Sequence, residues 1–241
     1  MNYRIDGLVG KPWLIFSNSL GTDMSMWDDQ VDFLKNDFHI LRYQTRGVGR
    51  ESIKNLGDDV LALMDTLEIQ RAHFCGISLG GLIGQWLAIN APHRFISYTF
   101  SNTSPRIGSP KGWQQRIELV KKEGLASVRE GSAQRWFSQE FCQRHPFKVS
   151  HVLKGFDQTT AADYLSLCQI LSTTDLWQGL SSISSPVLII AGALDEVTTV
   201  EEAHQMAQVI IDARVKVLLA SHLSNIEDPT FSKHLFSHLK S

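Results

Sequence analysis

Three short apolar runs in the first third of the chain are separated by segments whose apolar residues fall at helical spacing. The runs are Trp13-Leu14-Ile15-Phe16, residues 38–43, and Ala72-His73-Phe74-Cys75. Between them, Trp27, Val31 and Leu34 form one helical set, and Val60, Leu63, Met64 and Leu67 another. Runs this short and apolar predict strands buried on both faces. Alternation with helices makes them β-α-β units, so the expected fold class is α/β, with a mostly parallel sheet and helices on both faces. The pattern resumes with strands at residues 95–100, 186–191 and 215–219 and helices at about 200–210 and 230–239. Asp228 and Pro229 are expected to open the last helix, in cap and first-turn positions.

From 108 to 185 the strand-like runs vanish. Amphipathic segments at 113–122, 126–141, 147–156 and 161–171 take their place. Strand patterns flank this stretch on both sides, which predicts a helical cap inserted at 108–185 into a sheet core formed by 1–107 and 186–241. A chain of 241 residues suffices for one such domain. A formal net charge of -2 leaves no electrostatic footprint for nucleic acid or an anionic membrane. No apolar run approaches the roughly 18 residues of a membrane span, and the opening Met1-Asn2-Tyr3-Arg4-Ile5 is too polar for a signal peptide. Cys75, Cys142 and Cys168 are odd in number and far apart, which fits reduced thiols. The expected setting is cytoplasmic, with a small-molecule partner; nothing in the sequence fixes an oligomeric state.

Gly76-Ile77-Ser78-Leu79-Gly80 carries the chemistry. A G-x-S-x-G pentapeptide is weak alone, but here a strand ends at Cys75 and a helix is expected over 79–90, stopped by Pro92. That is the setting of a nucleophile elbow, a sharp turn that exposes the serine hydroxyl. A serine needs a base, and the base needs an orienting acid. Asp195 follows the strand 186–191, and His222 follows the strand 215–219, both at the carboxyl ends of parallel strands where open sheets place their sites. Glu196 is the weaker acid, because its side chain should point elsewhere. The oxyanion hole should combine the backbone N–H of Leu79 with one from the loop Ser17-Asn18-Ser19-Leu20-Gly21-Thr22-Asp23, where Leu20 is the candidate.

Elbow, late acid and late histidine resemble the α/β-hydrolase fold. Within it, three segments resemble the 3-oxoadipate enol-lactonases: Ser17-Asn18-Ser19-Leu20-Gly21-Thr22 with Met26-Trp27, Tyr43-Gln44-Thr45-Arg46-Gly47, and residues 220–227, Ala-Ser-His-Leu-Ser-Asn-Ile-Glu. The cap resembles that family's through Arg135-Trp136-Phe137 and the stretch holding Tyr164, Cys168, Asp175 and Leu176. The family triad carries over onto Ser78, Asp195 and His222. The chain departs from the pattern at Gln44 and Val48, where the family usually has Asp and His, in a shorter loop at 50–56, and in lacking the usual first strand before Asn2.

The resemblance implies a small enol-lactone bearing a carboxylate, opened with no metal or organic cofactor. Such a carboxylate calls for an arginine fork. Arg106, Arg116 and Arg135 lie in or just before the cap, and Arg135 beside Trp136 is the first choice, with Arg106 also expected at the substrate. Trp113, Trp136, Phe137 and Trp177 are expected mainly as cap core, with one or two facing substrate, Trp136 closing the other side of a small pocket beside Arg135. A broader carboxylesterase and a non-catalytic receptor of the same fold stand as alternatives.

Overall fold

The computed structural model describes residues 1–241. Strand β1 (Tyr3–Gly7) is followed by β2 (Trp13–Ser17), helix α1 (Asp28–Leu34), β3 (His39–Tyr43) and α2 (Ile53–Thr66). Next come β4 (Ala72–Ile77), α3 (Leu79–Asn90) and β5 (Phe95–Ser101). Five helices follow before the next strand: α4 (Pro110–Glu123), α5 (Ala126–Trp136), α6 (Gln139–Arg144), α7 (Pro146–Asp157) and α8 (Ala161–Thr173). The chain closes with β6 (Val187–Gly192), α9 (Val200–Val209), β7 (Ala213–Leu218), the single turn α10 (Ser224–Glu227) and α11 (Phe231–Leu239).

The strands form one seven-stranded sheet in the order β1-β3-β2-β4-β5-β6-β7. Every neighbouring pair is parallel except β1 with β3. Side-chain alternation sorts the helices onto two faces. Phe16 of β2 stacks on Trp27 at the start of α1, with ring centroids 4.3 Å apart, and Trp27 lies against Phe231 of α11. Ile15, one residue earlier, pairs with Phe74 of β4, whose ring lies against Gly84 of α3 on the opposite face. All six residues of β4 are buried, so the strand that leads to Ser78 lies inside the molecule. No helix is long and apolar enough to cross a membrane.

The structure corrects two local expectations. The amphipathic stretch 126–141 is two helices, because Phe137 is extended (φ -133, ψ 149) and Ser138 starts a new helix by accepting a hydrogen bond from the Phe141 amide. Asp228 and Pro229 do not cap α11. Thr230 is the capping residue, and the Asp228 carboxylate takes the Thr230 amide and hydroxyl in a turn before it.

Edge strand β1 exposes Tyr3 and Ile5 and has little apolar burial of its own. Arg42 of β3 fastens it. Its buried guanidinium contacts Asp6 at 2.8–2.9 Å, Asp28 at 2.6 Å and the Met24 carbonyl at 2.9 Å, tying β1 to the start of α1. Because both carboxylates can rehydrate, Arg42→Met should cost about 2 kcal/mol, less than the usual penalty for a fully buried pair. Faster amide hydrogen exchange confined to β1 and its β3 partners would show the loss.

Candidate active site

Backbone geometry at Ser78 is fixed by what surrounds it. The residue adopts φ 56, ψ -116, a conformation that costs an L-residue energy and persists only under constraint. Its amide donates to Ser101 O at 3.0 Å, and its carbonyl accepts from the Thr103 hydroxyl at 2.8 Å and the Leu82 amide at 2.9 Å. The turn also needs two residues without side chains. A Cβ on Gly76 would stand 2.2 Å from Gly80 O, and one on Gly80 would stand 2.2 Å from Ser17 O. Strand β4 therefore passes into α3 through a single strained residue, whose hydroxyl is presented where β2 and β5 also end.

His222 and Asp195 meet beside it. The His222 imidazole Nδ1 lies 2.8 Å from Asp195 Oδ2, and both side chains are almost wholly shielded from solvent. Asp195 Oδ2 also accepts from Asn102 Nδ2 at 3.0 Å and the Thr198 hydroxyl at 2.8 Å. Its Oδ1 takes the amides of Val197 and Thr198. Burial would raise the pKa of this carboxyl, but the charge and hydrogen bond of His222, then Asn102 and the Val197 amide, outweigh it and hold the pKa at about 2. The acid is thus a fixed anion at neutral pH, which orients the ring and favours a proton on Nδ1, leaving Nε2 free to act as a base.

Leu20 and Leu79 are buried, and neither amide donates to a backbone acceptor. These are the two donors expected for an oxyanion. Ser78, His222 and Leu20 line one small cavity of about 40 Å³, together with Ser19, Ile107, Trp113, Arg116, Ser132, Arg135, Trp136, Tyr164, Leu171 and Val197. Helices α4, α5 and α8 supply much of this lining, so the inserted helices roof the site. A larger polar recess of about 270 Å³ adjoins it, sharing Ser19 and reaching Leu79.

Comparison with known proteins identifies the family. Residues 12–229 match the family model described as "alpha/beta hydrolase fold". The chain belongs to the alpha/beta-hydrolase family. 3-Oxoadipate enol-lactonase 2 of Acinetobacter baylyi is 42% identical, over 97% of this chain and 90% of its own. 3-Oxoadipate enol-lactonase 1 of the same organism is 40% identical, over 98% and 91%. The crystal structure of the enol-lactonase from Burkholderia xenovorans LB400 superposes with a TM-score of 0.96 at 39% identity, covering 100% of this chain and 96% of that one.

In this alpha/beta hydrolase the expected arginines part company. Arg135 and Trp136 line the cavity, and so does Arg116, which sequence reasoning ranked lower. Arg106 does not: it is half exposed and faces Asp175 at 3.9 Å, outside the cavity lining. Trp113 lines the cavity, whereas Trp177 packs on the core elsewhere. Asn102 was missed. It holds Asp195 and the Ser221 carbonyl while accepting from the hydroxyls of Ser101 and Ser224, and it carries a positive φ of 43. The one prior signal was its place directly after a central strand. Gln44 and Val48, the departures from the family pattern, fall outside this cavity lining. Gln44 lines the polar recess and donates to Thr22 O at 3.2 Å, while Val48 is half exposed and its amide is held by Asp163.

A carboxyl whose folded pKa is depressed adds stability that is complete above the unfolded value and is lost as pH falls through the folded one. For Asp195 that window runs from 3.8 down to about 2. Thr198→Val removes one donor to the anion and moves the folded pKa upward. It should cost about 2 kcal/mol at neutral pH. The midpoint of acid unfolding, followed by circular dichroism, should shift to higher pH.

Proposed function

We propose that this hydrolase opens a small carboxylated enol-lactone, of the 3-oxoadipate enol-lactone kind, through an acyl-enzyme on Ser78. The observation that carries the reading is a pair of arginines without an anion. Arg116 and Arg135 both line the cavity that holds Ser78 and His222, and neither forms an ion pair. Arg116 reaches the Tyr164 hydroxyl at 3.2 Å and Arg135 the Ser132 hydroxyl at 3.2 Å, both neutral partners. Burial, and then the charge of Arg116, lower the pKa of Arg135, the direction expected for two cations held together away from water. A substrate carboxylate between them would relieve that repulsion and be oriented by it.

With the carboxylate so held, the lactone carbonyl lies over Ser78. His222 takes the hydroxyl proton as Ser78 Oγ attacks, and Asp195 stabilises the resulting imidazolium. The oxyanion receives the amides of Leu20 and Leu79, each such donor being worth about 10²–10³ in rate. The C–O bond of the ring then breaks and the enol oxygen leaves, taking its proton from His222 and relaxing to a ketone. The ring-opened acyl chain stays on Ser78 until water, activated by His222, releases a dicarboxylate. The cytoplasmic setting expected from the thiols is part of this reading.

Loss of enol-lactone absorbance measures the reaction. Ser78→Ala should lower kcat by about 10⁴-fold or more, and equal rates in variant and wild type would overturn the serine mechanism. Arg135→Met should raise KM for the carboxylated lactone about 10- to 100-fold, as for a lost charge-assisted hydrogen bond, with little effect on a neutral p-nitrophenyl ester. A large kcat/KM preference of the wild type for that ester would instead favour a broad carboxylesterase.

A further inference from the structure

The helix break in the roof of the site lies directly against the His222 loop. Phe137 and Ser138 interrupt the helical run between α5 and α6, which frees backbone groups that a continuous helix would consume. One is the Trp136 carbonyl, which accepts the Leu223 amide at 2.9 Å. Another is the Ser138 amide, which donates to the Glu227 carboxylate at 3.2–3.3 Å. The same carboxylate accepts the Ser221 amide at 2.9 Å. Both amides that flank His222 in sequence are therefore held: Leu223 by the break directly, and Ser221 by Glu227, which also grips the break.

The neighbouring support is of another kind. From the sheet side Asn102 holds the Ser221 carbonyl and the Ser224 hydroxyl, and the Leu194 amide donates to Ala220 O, whereas both amides beside His222 depend on the roof or on Glu227. The roof segment is also the one that faces substrate, since the side chains of Arg135 and Trp136 line the cavity with Ser78. Glu227 lines no part of that cavity. It sits in a separate groove beside Asn225, Asp228 and Phe141.

We infer that Glu227 is a positioning residue that couples the cap to the base. Its carboxylate makes the placement of His222 conditional on the roof segment 136–138 being seated, so cap contacts with substrate act on turnover as well as on binding. This rests on His222 serving as the base for Ser78. Two amide donors share one carboxylate, and no neutral side chain of the same length offers both of them an acceptor without setting an N–H against one.

Glu227→Gln should therefore lower kcat about 10- to 100-fold with KM changed less than about threefold, the size of effect expected when a catalytic group is displaced by up to about 1 Å. Phosphonylation of Ser78 by a fluorophosphonate, which needs the same base and no lactone, should slow by a similar factor. Ser138→Pro removes only the cap-side amide, because Ser138 has φ -64 and Phe137 before it is extended, both compatible with proline. Measured against Ser138→Ala, which loses the same hydroxyl but keeps the amide, it should lower kcat by about 3- to 10-fold, a smaller displacement of the same group. Circular dichroism and titration of active sites give the folded fraction of each variant.

Wild-type kcat and labelling in folded Glu227→Gln, a change in KM alone, or a loss matched by the unfolded fraction would overturn the proposal. Normal labelling of Ser78 in a wild type that ignores the enol-lactone would sink the substrate reading and leave this one standing. No labelling of wild-type Ser78 would remove the base reading and this proposal with it.

Discussion

The chain must leave its buried central strand, place one side chain in the open and start a helix within a single residue. That constraint at Ser78 organises the rest of the molecule. The positive φ is affordable only because Ser101 O, Thr103 and Leu82 hold the peptide groups on either side. Those partners require β5 to lie beside β4 in parallel register, with Ile77 opposite Ser101. The approach of Gly80 to Ser17 O equally requires β2 on the other side. The elbow is thus less a motif set on a sheet than the point where three strands and one helix fix one another.

The inner strands β2, β4 and β6 were legible because each is a largely apolar run buried on both faces, whereas β7 at the edge interleaves Arg214 and Lys216 with its apolar residues. The order serine, acid, histidine was legible because parallel β-α units return every loop of interest to the same end of the sheet. What escaped was set by partners distant in sequence. The break at Phe137 and Ser138 lies inside a stretch whose amphipathicity continues on both sides, and only the capping hydroxyl marks it. Asp228 looked like a cap because capping and turn-forming draw on the same side-chain chemistry. Arg106 and Arg116 differ in sequence by nothing that tells a cavity from a surface. One is near Asp175 and the other near Tyr164, and that pairing belongs to the fold.

The electrostatics of the site divide the same way. Asp195 is a buried anion with every lone pair spoken for, so its charge is built into the fold around it. Arg116 and Arg135 are the reverse, two cations partnered by hydroxyls and, for Arg116, by the Trp113 ring, with no carboxylate. A net charge of -2 for the whole chain conceals both. The protein stabilises one ion completely and leaves the other pair incomplete, and the incomplete pair is where recognition can occur.

One continuous apolar core runs from the sheet into the roof, joining Phe16 and Phe74 to Trp136, Phe156 and Tyr164 without a seam. The roof is consequently not a module. Phe156 and Trp136 of the roof close directly on Gly21, in the loop after β2, so exchanging the roof helices for those of another hydrolase would also disturb the loop that carries Leu20.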